Sequence, residues 1–241
     1  MRVAGVDGCP SGWLVVTWQP ESDLPPVVAI EANFQAILAR QPQPDLIAID
    51  IPIGLPPRVG RGGRSCDVAA RRILGERQSA VFSVPARAAI TATDYQVACD
   101  TAFAHSDPPR KVSKQCFNIF PKIRDVDSAM TPSLQERVIE CHPEVAFWAM
   151  NSERALLLPK KVKSRPHEPG LEARRSLLRK SGFPIDLVRP LRAPRKDAGP
   201  DDLIDACACA WTAMRRLRGL AHRFPSTPER DARGLLMEIW A

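Results

Sequence analysis

The apolar positions in the first fifty residues predict three strands, a helix and a fourth strand. The strand-like runs are Arg2–Asp7, Trp13–Trp18, Val27–Glu31 and Leu46–Ile51, and the helical segment is Phe34–Ala39. A short glycine-containing turn separates the first two runs, so we expect them to form an antiparallel hairpin. The helical segment is long enough for a crossover, which predicts the order β-β-β-α-β.

After this segment the pattern is mainly helical and is interrupted by prolines. The later elements predicted are helices at Cys66–Gly75, Thr93–His105 and Lys122–Asp127, a fifth strand at Arg137–Cys141, and helices from Pro143 to about Asn151, at Leu171–Ser181 and at Asp201–Arg218. We therefore expect a single α/β domain over residues 1–241. It would have a mixed five-stranded sheet with helices on both faces and a mostly helical insertion at about 56–136.

Composition narrows the possible environments and partners. An apolar content of 44% excludes wholesale disorder, and the run that follows Met1 is too short for a signal segment or a membrane span. A cytoplasmic protein is therefore expected. The net charge of +7 favours polyanionic partners, whereas an aromatic content of 6% argues against a stacking platform for single strands.

Seven cysteines occur without a CxxC pair, and we interpret them as reduced thiols of the core. A zinc site built from Cys116, Cys141 and His142 is disfavoured, because these residues lack the ligand spacing of known zinc modules.

Asp7 and Asp50 are the first candidate functional residues, because each lies at the end of a predicted strand. Asp7 enters a glycine-containing turn, so its carboxylate could simply accept backbone hydrogen bonds there. Asp50 interrupts an apolar run, Leu46 to Ile53, that is typical of a strand buried on both faces. A charge in that position is costly unless it is compensated, and a metal ion at the carboxyl end of the strand would compensate it.

Further acidic residues follow later in the chain. Glu140 ends the fifth predicted strand, and pairing with a nearby Arg or Lys is an equally good interpretation of it. At the start of the last helix, capping explains Asp201. Asp202 and Asp205 are three residues apart and share one helical face, which would point both carboxylates at the sheet edge.

One acidic residue on the first strand, another on the fourth and a third on a late helix is the layout of ribonuclease-H-like nucleases. The chain resembles an uncharacterised bacterial and archaeal domain-of-unknown-function family, whose members are described as predicted nucleases of ribonuclease H fold. The likeness spans nearly the whole chain and rests on five ordered segments: Val6 to Trp13, Ile49 to Leu55, Gln115 to Ile119, Ile139 to Glu144 and Asp202 to Ala206.

This resemblance implies a catalytic set of four carboxylates, which are Asp7, Asp50, Glu140 and Asp205. The same residues, with Asp202 as a helper, would bind Mg²⁺ or Mn²⁺, with two ions as the expected number, for phosphodiester hydrolysis. Asp50 would bridge the metals, Asp7 and Asp205 would each hold one ion, and Glu140 would orient water or complete a coordination shell. The predicted helix Phe34–Ala39 carries no acidic residue, unlike the first helix of ribonuclease H, so Glu140 would replace that glutamate.

The expected partner is nucleic acid, whether RNA, DNA or a hybrid. Substrate contacts are assigned to five residues: Lys160, Lys161, Lys163, Arg64 and Gln115. The three lysines lie in a loop-like stretch that could fold over an anionic site. Their point charges suit contact with phosphates better than reading of bases.

Two alternative functions stay open at this level. In actin-like or sugar-kinase-type phosphotransferases an Asp-Gly hairpin cradles nucleotide phosphate, and Asp7-Gly8 weakly matches that feature. Such proteins generally need two duplicated domains, and no internal repeat is visible here. The other alternative is a catalytically idle binding protein that keeps the ribonuclease-H-like fold.

Overall fold

The computed structural model describes residues 1–163, 165–188 and 197–241. It is an α/β structure with these elements along the chain: β1 (Val3–Cys9), β2 (Gly12–Trp18), β3 (Val27–Glu31), α1 (Phe34–Ala39), β4 (Leu46–Ile49), α2 (Ser65–Leu74), α3 (Arg87–Ile90), α4 (Tyr95–Ala104), α5 (Lys114–Asn118), α6 (Phe120–Ala129), β5 (Val138–Glu140), α7 (Pro143–Met150), β6 (Lys161–Val162), β7 (Arg165–Pro166), α8 (Glu168–Lys180), α9 (Pro200–Leu217), β8 (Arg223–Arg230) and β9 (Leu236–Trp240).

These elements divide into two compact units. The first contains Met1–Asp50, Arg137–His222 and Trp240–Ala241, and the second contains Ile51–Glu136 and Arg223–Ile239. The predicted insertion at about 56–136 thus falls within the second unit, together with a later part of the chain that the sequence pattern did not assign.

The first unit is built on a mixed five-stranded sheet in the order β3-β2-β1-β4-β5. β1 to β3 pair in antiparallel fashion, whereas β4 is parallel to both β1 and β5. Every residue of β4 is buried, as its unbroken apolar sequence requires. The predicted α/β class, the first hairpin and the five-stranded mixed sheet are confirmed.

Helix α9 packs directly on the sheet at Gly5 of β1. Ala206 and Ala210 are one helical turn apart and therefore lie on the same face of α9. A methyl group at Gly5 would overlap the carbonyl oxygen of Ala206 and the amide nitrogen of Ala210. The absence of a side chain at this glycine is what allows α9 to approach β1 so closely.

We expect Gly5→Ala to lower the free energy of unfolding by about 3 kcal/mol, because the added methyl group meets helix backbone that cannot rotate away. Urea unfolding measures the change. Gly60→Ala is the matched control, since a methyl group there meets open space. Equal stability of the two variants would contradict this close packing of α9 on β1.

In the second unit two acidic side chains are held in buried networks. Asp67 pairs with Arg64, and both side chains are 1% exposed. Asp231 accepts hydrogen bonds from the backbone nitrogens of Leu55, Arg233 and Leu235 and forms an ion pair with Arg87. The helices α2 to α6 agree with the predicted helical character of this segment.

The strands β8 and β9 form a two-stranded sheet that the sequence pattern did not predict. Pro225 and Pro228 lie within β8, and proline normally argues against a strand because it cannot donate a ladder hydrogen bond.

All seven cysteines are buried, which confirms their predicted place in the core, and none of them forms a disulfide bond in the structure. Within the described ranges, none of the helices combines the length and the apolar character that crossing a bilayer requires.

Candidate functional site

Asp7, Asp50 and Asp205 are brought to one face of the first unit's sheet by three different elements. Asp7 lies in β1, and Asp50 directly follows β4, where its amide nitrogen donates to the carbonyl oxygen of Val6 at 2.9 Å. This parallel register places Asp7 and Asp50 side by side, with their side chains on the same face. Gly5 shares that face, so α9 packs there and carries Asp205 to the two strand carboxylates.

The three carboxylates influence one another electrostatically. Burial raises the pKa of Asp7 well above its ordinary value, and the negative charges of Asp50 and Asp205 raise it further. Burial also raises the pKa of Asp50, and it raises the pKa of Asp205 to about 6. The effects of Asp50 and Asp205 on Asp7, and of Asp50 on Asp205, agree with the placement of the three carboxylates on one face of the sheet.

The ammonium group of Lys160 contacts Oδ2 of Asp205 within this cluster. Burial by itself would lower the pKa of Lys160, but the charges of Asp205, Asp7 and Asp50 outweigh that effect and raise it. The Lys160 charge in turn opposes the rise in the pKa of all three aspartates. Lys160 is therefore an internal counter-cation of the cluster, rather than a mobile loop charge.

The residues of this cluster fit a hard cation by their chemistry. Oδ1 of Asp205 is buried and has no hydrogen-bond partner within the described part of the chain. Among those same residues His142 and Lys160 lower the pKa of Asp50, and Lys160 also lowers the pKa of Asp7 and Asp205, whereas Asp202 and Glu144 add further negative charge beside the three aspartates. Oxygen ligands and excess negative charge are what Mg²⁺ and Mn²⁺ require.

The cluster is not arranged as a finished metal site. Within residues 1–163, 165–188 and 197–241, no three acidic, histidine or cysteine side chains are grouped as a ready set of metal ligands. Metal binding would thus need side-chain adjustment, beginning with Lys160, whose ammonium group occupies one Asp205 oxygen.

Glu140 does not join this cluster, contrary to expectation. It pairs in register with Ile49, which is one residue before Asp50, and successive strand residues point to opposite faces. Glu140 is buried on the face opposite to Asp7 and Asp50. Sequence reasoning found the correct strand but could not determine which face this side chain occupies.

Glu144 is the acidic residue of this region that does act on the cluster. Its charge raises the pKa of both Asp50 and Asp205. It lies in the first turn of α7, after Pro143, and is buried against Arg174 of α8. The signal in the sequence is an acidic residue directly after the proline that begins a helix, a position that helix capping and the helix dipole explain equally well.

Arg174 holds Glu144 through a dense set of contacts. Its Nη2 donates to Glu144 Oε1 at 2.6 Å and to Oε2 at 2.8 Å, and its Nη1 donates to the carbonyl oxygens of Leu158 and Gly170. The Arg174 side chain is 0% exposed. Arg174 is thus the direct ion-pair partner of Glu144, whereas Lys160 is the cation that acts on all three aspartates.

The other acidic residues of α9 have different roles from those expected. Asp202, rather than Asp201, caps the helix, because its Oδ2 accepts a hydrogen bond from the Gly199 amide at 2.8 Å. Asp202 also raises the pKa of Asp7, so it lies close to the cluster. Asp201 instead forms an ion pair with Lys161 at 2.6 Å.

The residues assigned to substrate contacts belong to two different units of the structure. Lys160 and Lys161 are paired with carboxylates in the first unit, whereas Lys163 is exposed. Arg64 belongs to the second unit and is buried, with its guanidinium group donating to Asp67 and to the Ile53 carbonyl, so its role there is structural. Gln115 is exposed beside a cavity of the second unit.

We expect Asp7→Asn to stabilise the metal-free protein at alkaline pH. Because the pKa of Asp7 is raised in the folded state, that state binds the proton more tightly than the unfolded chain does. The stability from this proton is complete below the unfolded pKa and is lost as the pH rises through the folded pKa. Asparagine removes that loss, which is about 1.4 kcal/mol for each tenfold difference in proton affinity between the two states. It can still accept the hydrogen bond from Gly8.

Urea unfolding near pH 4 and at pH 8, both with a chelator, measures this effect. The variant should gain stability over the parent at pH 8, and the gain should be small or absent near pH 4. Asp23→Asn, at an exposed position of the same unit, is the control. A loss of stability at pH 8 would contradict the proposed repulsion among the three carboxylates.

A family model described as "Protein of unknown function (DUF429)" matches residues 5–230. Neither a curated protein nor a solved structure matches the chain. The activity has therefore to be inferred from the residues of the site themselves.

Proposed function

We propose that this chain, which belongs to the family DUF429, is a divalent-metal-dependent nuclease that hydrolyses phosphodiester bonds in nucleic acid. The proposal rests on the geometry of the site. The observation that carries this proposal is the meeting of Asp7, Asp50 and Asp205 on one face of the sheet, with raised pKa values and with the ammonium group of Lys160 in contact with Asp205. Perturbed carboxylates gathered in this way are typical of metal-assisted hydrolysis.

We also propose that the fold is ribonuclease-H-like. The strand order β3-β2-β1-β4-β5, with an antiparallel β1 to β3 and a parallel β4 and β5, supports this assignment. So does the placement of acidic residues on β1, after β4 and on a late helix, which is the layout that the sequence resemblance implies.

The residues proposed to hold Mg²⁺ or Mn²⁺ are Asp7, Asp50 and Asp205, with Asp202 as a helper. When bound, these ions supply an activated water and neutralise the charge that develops on the phosphate. The chain itself fixes the ligands: the Gly8 amide donates to Asp7 Oδ1 at 2.8 Å, and the Gly199 amide donates to Asp202 Oδ2. Glu144, whose orientation Arg174 fixes, acts on these ligands through its charge, whereas Glu140, the fourth carboxylate of the sequence resemblance, lies on the other face of the sheet.

Lys160 has two roles in this proposal: it is the counter-cation of the aspartates, and it is a contact for the substrate phosphate. In the metal-free protein it stabilises the crowded aspartates by contact with Asp205. Its side chain is 28% exposed, and we propose that the ammonium group also contacts an anionic group arriving from solvent. Such a group would be a phosphate of the proposed nucleic-acid partner, a class that the net charge of +7 favours.

The second candidate is a catalytically idle protein of the same fold. The observation in its favour is the ion pair between Lys160 and Asp205, which satisfies part of the cluster without metal. In that case, the carboxylates would serve only to position Lys160 and α9.

The experiment that separates these two functions is a cleavage screen with labelled RNA, DNA, hybrid and branched substrates in Mg²⁺ and in Mn²⁺. Cleavage that a chelator stops and that Asp205→Asn abolishes supports the nuclease, and Asp23→Asn is the matched control. Absence of cleavage in every combination, or equal cleavage by both variants, would contradict it.

A further inference from the structure

A cavity of about 350 Å³ lies within the second unit, and its walls come from the segments around Val59, Val81 and Val112. This volume is within the range of about 300–1,000 Å³ that is typical of small-molecule sites. All of the lining residues belong to the second unit, so the cavity is formed by that unit alone.

The wall of the cavity is partly apolar. Val81, Val84 and Val112 are buried, and the partly buried ring of Phe82 also lines the space. These side chains offer a dry surface for a non-polar or planar part of a ligand. Buried apolar walls of this kind provide most of the contact area in small-molecule sites.

The remaining lining residues include hydroxyl groups and cations. Ser79 and Ser83 are exposed at the cavity, and so are Arg110 and Lys111. None of the described lining residues is acidic. A ligand in this space would therefore meet positive charge and hydrogen-bond donors without a competing carboxylate.

A second guanidinium group strengthens the positive charge of this region. Arg71 donates to the carbonyl oxygens of Val81 and Phe82, both of which line the cavity. Burial lowers the pKa of Arg71, Asp67 raises it, and the charge of Arg110 lowers it. Asp67, the acidic residue that acts on Arg71, is already paired with Arg64.

The backbone that carries Arg110 is fixed in place. Its amide donates to Ser106 Oγ at 2.7 Å, and that hydroxyl group donates to the Ala102 carbonyl of α4 at 2.8 Å. The Asp107 amide donates to the carbonyl oxygen of Val59 at 2.9 Å, which ties this turn to another segment that lines the cavity. The cation is thus presented from a preformed support, which lowers the entropic cost of binding.

We propose that this cavity binds a small organic monophosphate of nucleotide size. The phosphate group would contact Arg110, Lys111 and the serine hydroxyl groups, and the rest of the ligand would pack on Val81, Phe82 and Val84. Arginine is favoured in such a role because its planar fork donates two parallel hydrogen bonds to a phosphate. None of the aspartates proposed as metal ligands is among the residues that line this cavity, so this proposal does not rest on the proposed nuclease activity.

The test is calorimetry on the full chain in the presence of a chelator, with AMP, adenosine and inorganic phosphate as probes. AMP should bind, and adenosine should bind at least about tenfold more weakly because it lacks the charged group. Arg110→Gln and Lys111→Gln should each weaken AMP binding by about tenfold or more. Arg72→Gln removes one exposed charge from α2 and is the control that should leave the affinity unchanged.

Inorganic phosphate distinguishes the two parts of the proposed ligand. Weaker binding of phosphate than of AMP supports a contribution from the apolar wall. Equal binding of AMP and adenosine, an unchanged affinity in Arg110→Gln, or no binding of AMP at millimolar concentration would each overturn the proposal. Thermal unfolding of Arg110→Gln, Lys111→Gln and Arg72→Gln is the control that each variant is folded.

Discussion

Asp50→Asn is expected to reduce metal-dependent phosphodiester hydrolysis by about a thousandfold, equivalent to about 4 kcal/mol of transition-state stabilisation. Asparagine has nearly the same size but lacks the charge that holds a hard cation. Asp50 follows the interior strand β4 beside Asp7, and its backbone hydrogen bond to Val6 does not involve the side chain. The variant should therefore fold normally and fail in the chemistry.

The measurement is single-turnover cleavage of the substrate identified by the screen, at saturating Mn²⁺. Asp23→Asn should retain the parent rate, since Asp23 is exposed and lies outside the cluster. A loss of less than about tenfold in Asp50→Asn, with folding intact, would show that Asp50 is not a metal ligand. It would then be better explained as a carboxylate that only positions the end of β4.

Arg174→Met is expected to lower the free energy of unfolding by about 3–5 kcal/mol, because it leaves the buried Glu144 carboxylate without its partner. The side chain of Arg174 is 0% exposed and links α7, α8 and the carbonyl oxygen of Leu158. Methionine can fill much of the same volume, so the loss would come mainly from charge and hydrogen bonding.

The double variant Arg174→Met with Glu144→Leu separates these causes. If the cost arises from the stranded carboxylate, the double variant should recover most of the lost stability in urea unfolding. If the loss in the double variant instead equals the sum of the losses in the two single variants, each side chain stabilises the protein through separate packing. Arg175→Met is the control, because its ion pairs with Glu168 and Glu172 are exposed.

The positions of Asp7, Asp50 and Asp205 could be predicted because each depends on local pattern. Asp7 and Asp50 each lie at the end of an apolar strand-like run. Asp205 lies in a helix whose small residues predict close packing on a sheet. Which face of a strand a residue occupies is not local information. Glu140 lies on the other face because its register with Ile49 is set by strand pairing, which the sequence of β5 does not encode.

The partners of charged residues are equally hard to predict, since they depend on contacts between distant parts of the chain. Lys160 is 45 residues from Asp205 in the sequence, so their ion pair is not visible in the local pattern. The segment with Lys160, Lys161 and Lys163 has instead the local pattern of a solvated loop. Arg64 is a second example, because its buried pairing with Asp67 is not visible in the basic composition of that segment. Charge runs indicate a class of partner, but only the fold decides which charges stay available.

Calorimetric titration of the metal-free protein with Mn²⁺ at about pH 7.5 tests most directly whether the aspartate cluster is a metal site. The parent protein is predicted to bind Mn²⁺, and Asp205→Asn to bind it at least about a hundredfold more weakly, because the variant lacks the negative charge of a central ligand. Asp23→Asn should match the parent. No binding by the parent, or equal affinity in Asp205→Asn, would contradict a metal centre formed by Asp7, Asp50 and Asp205.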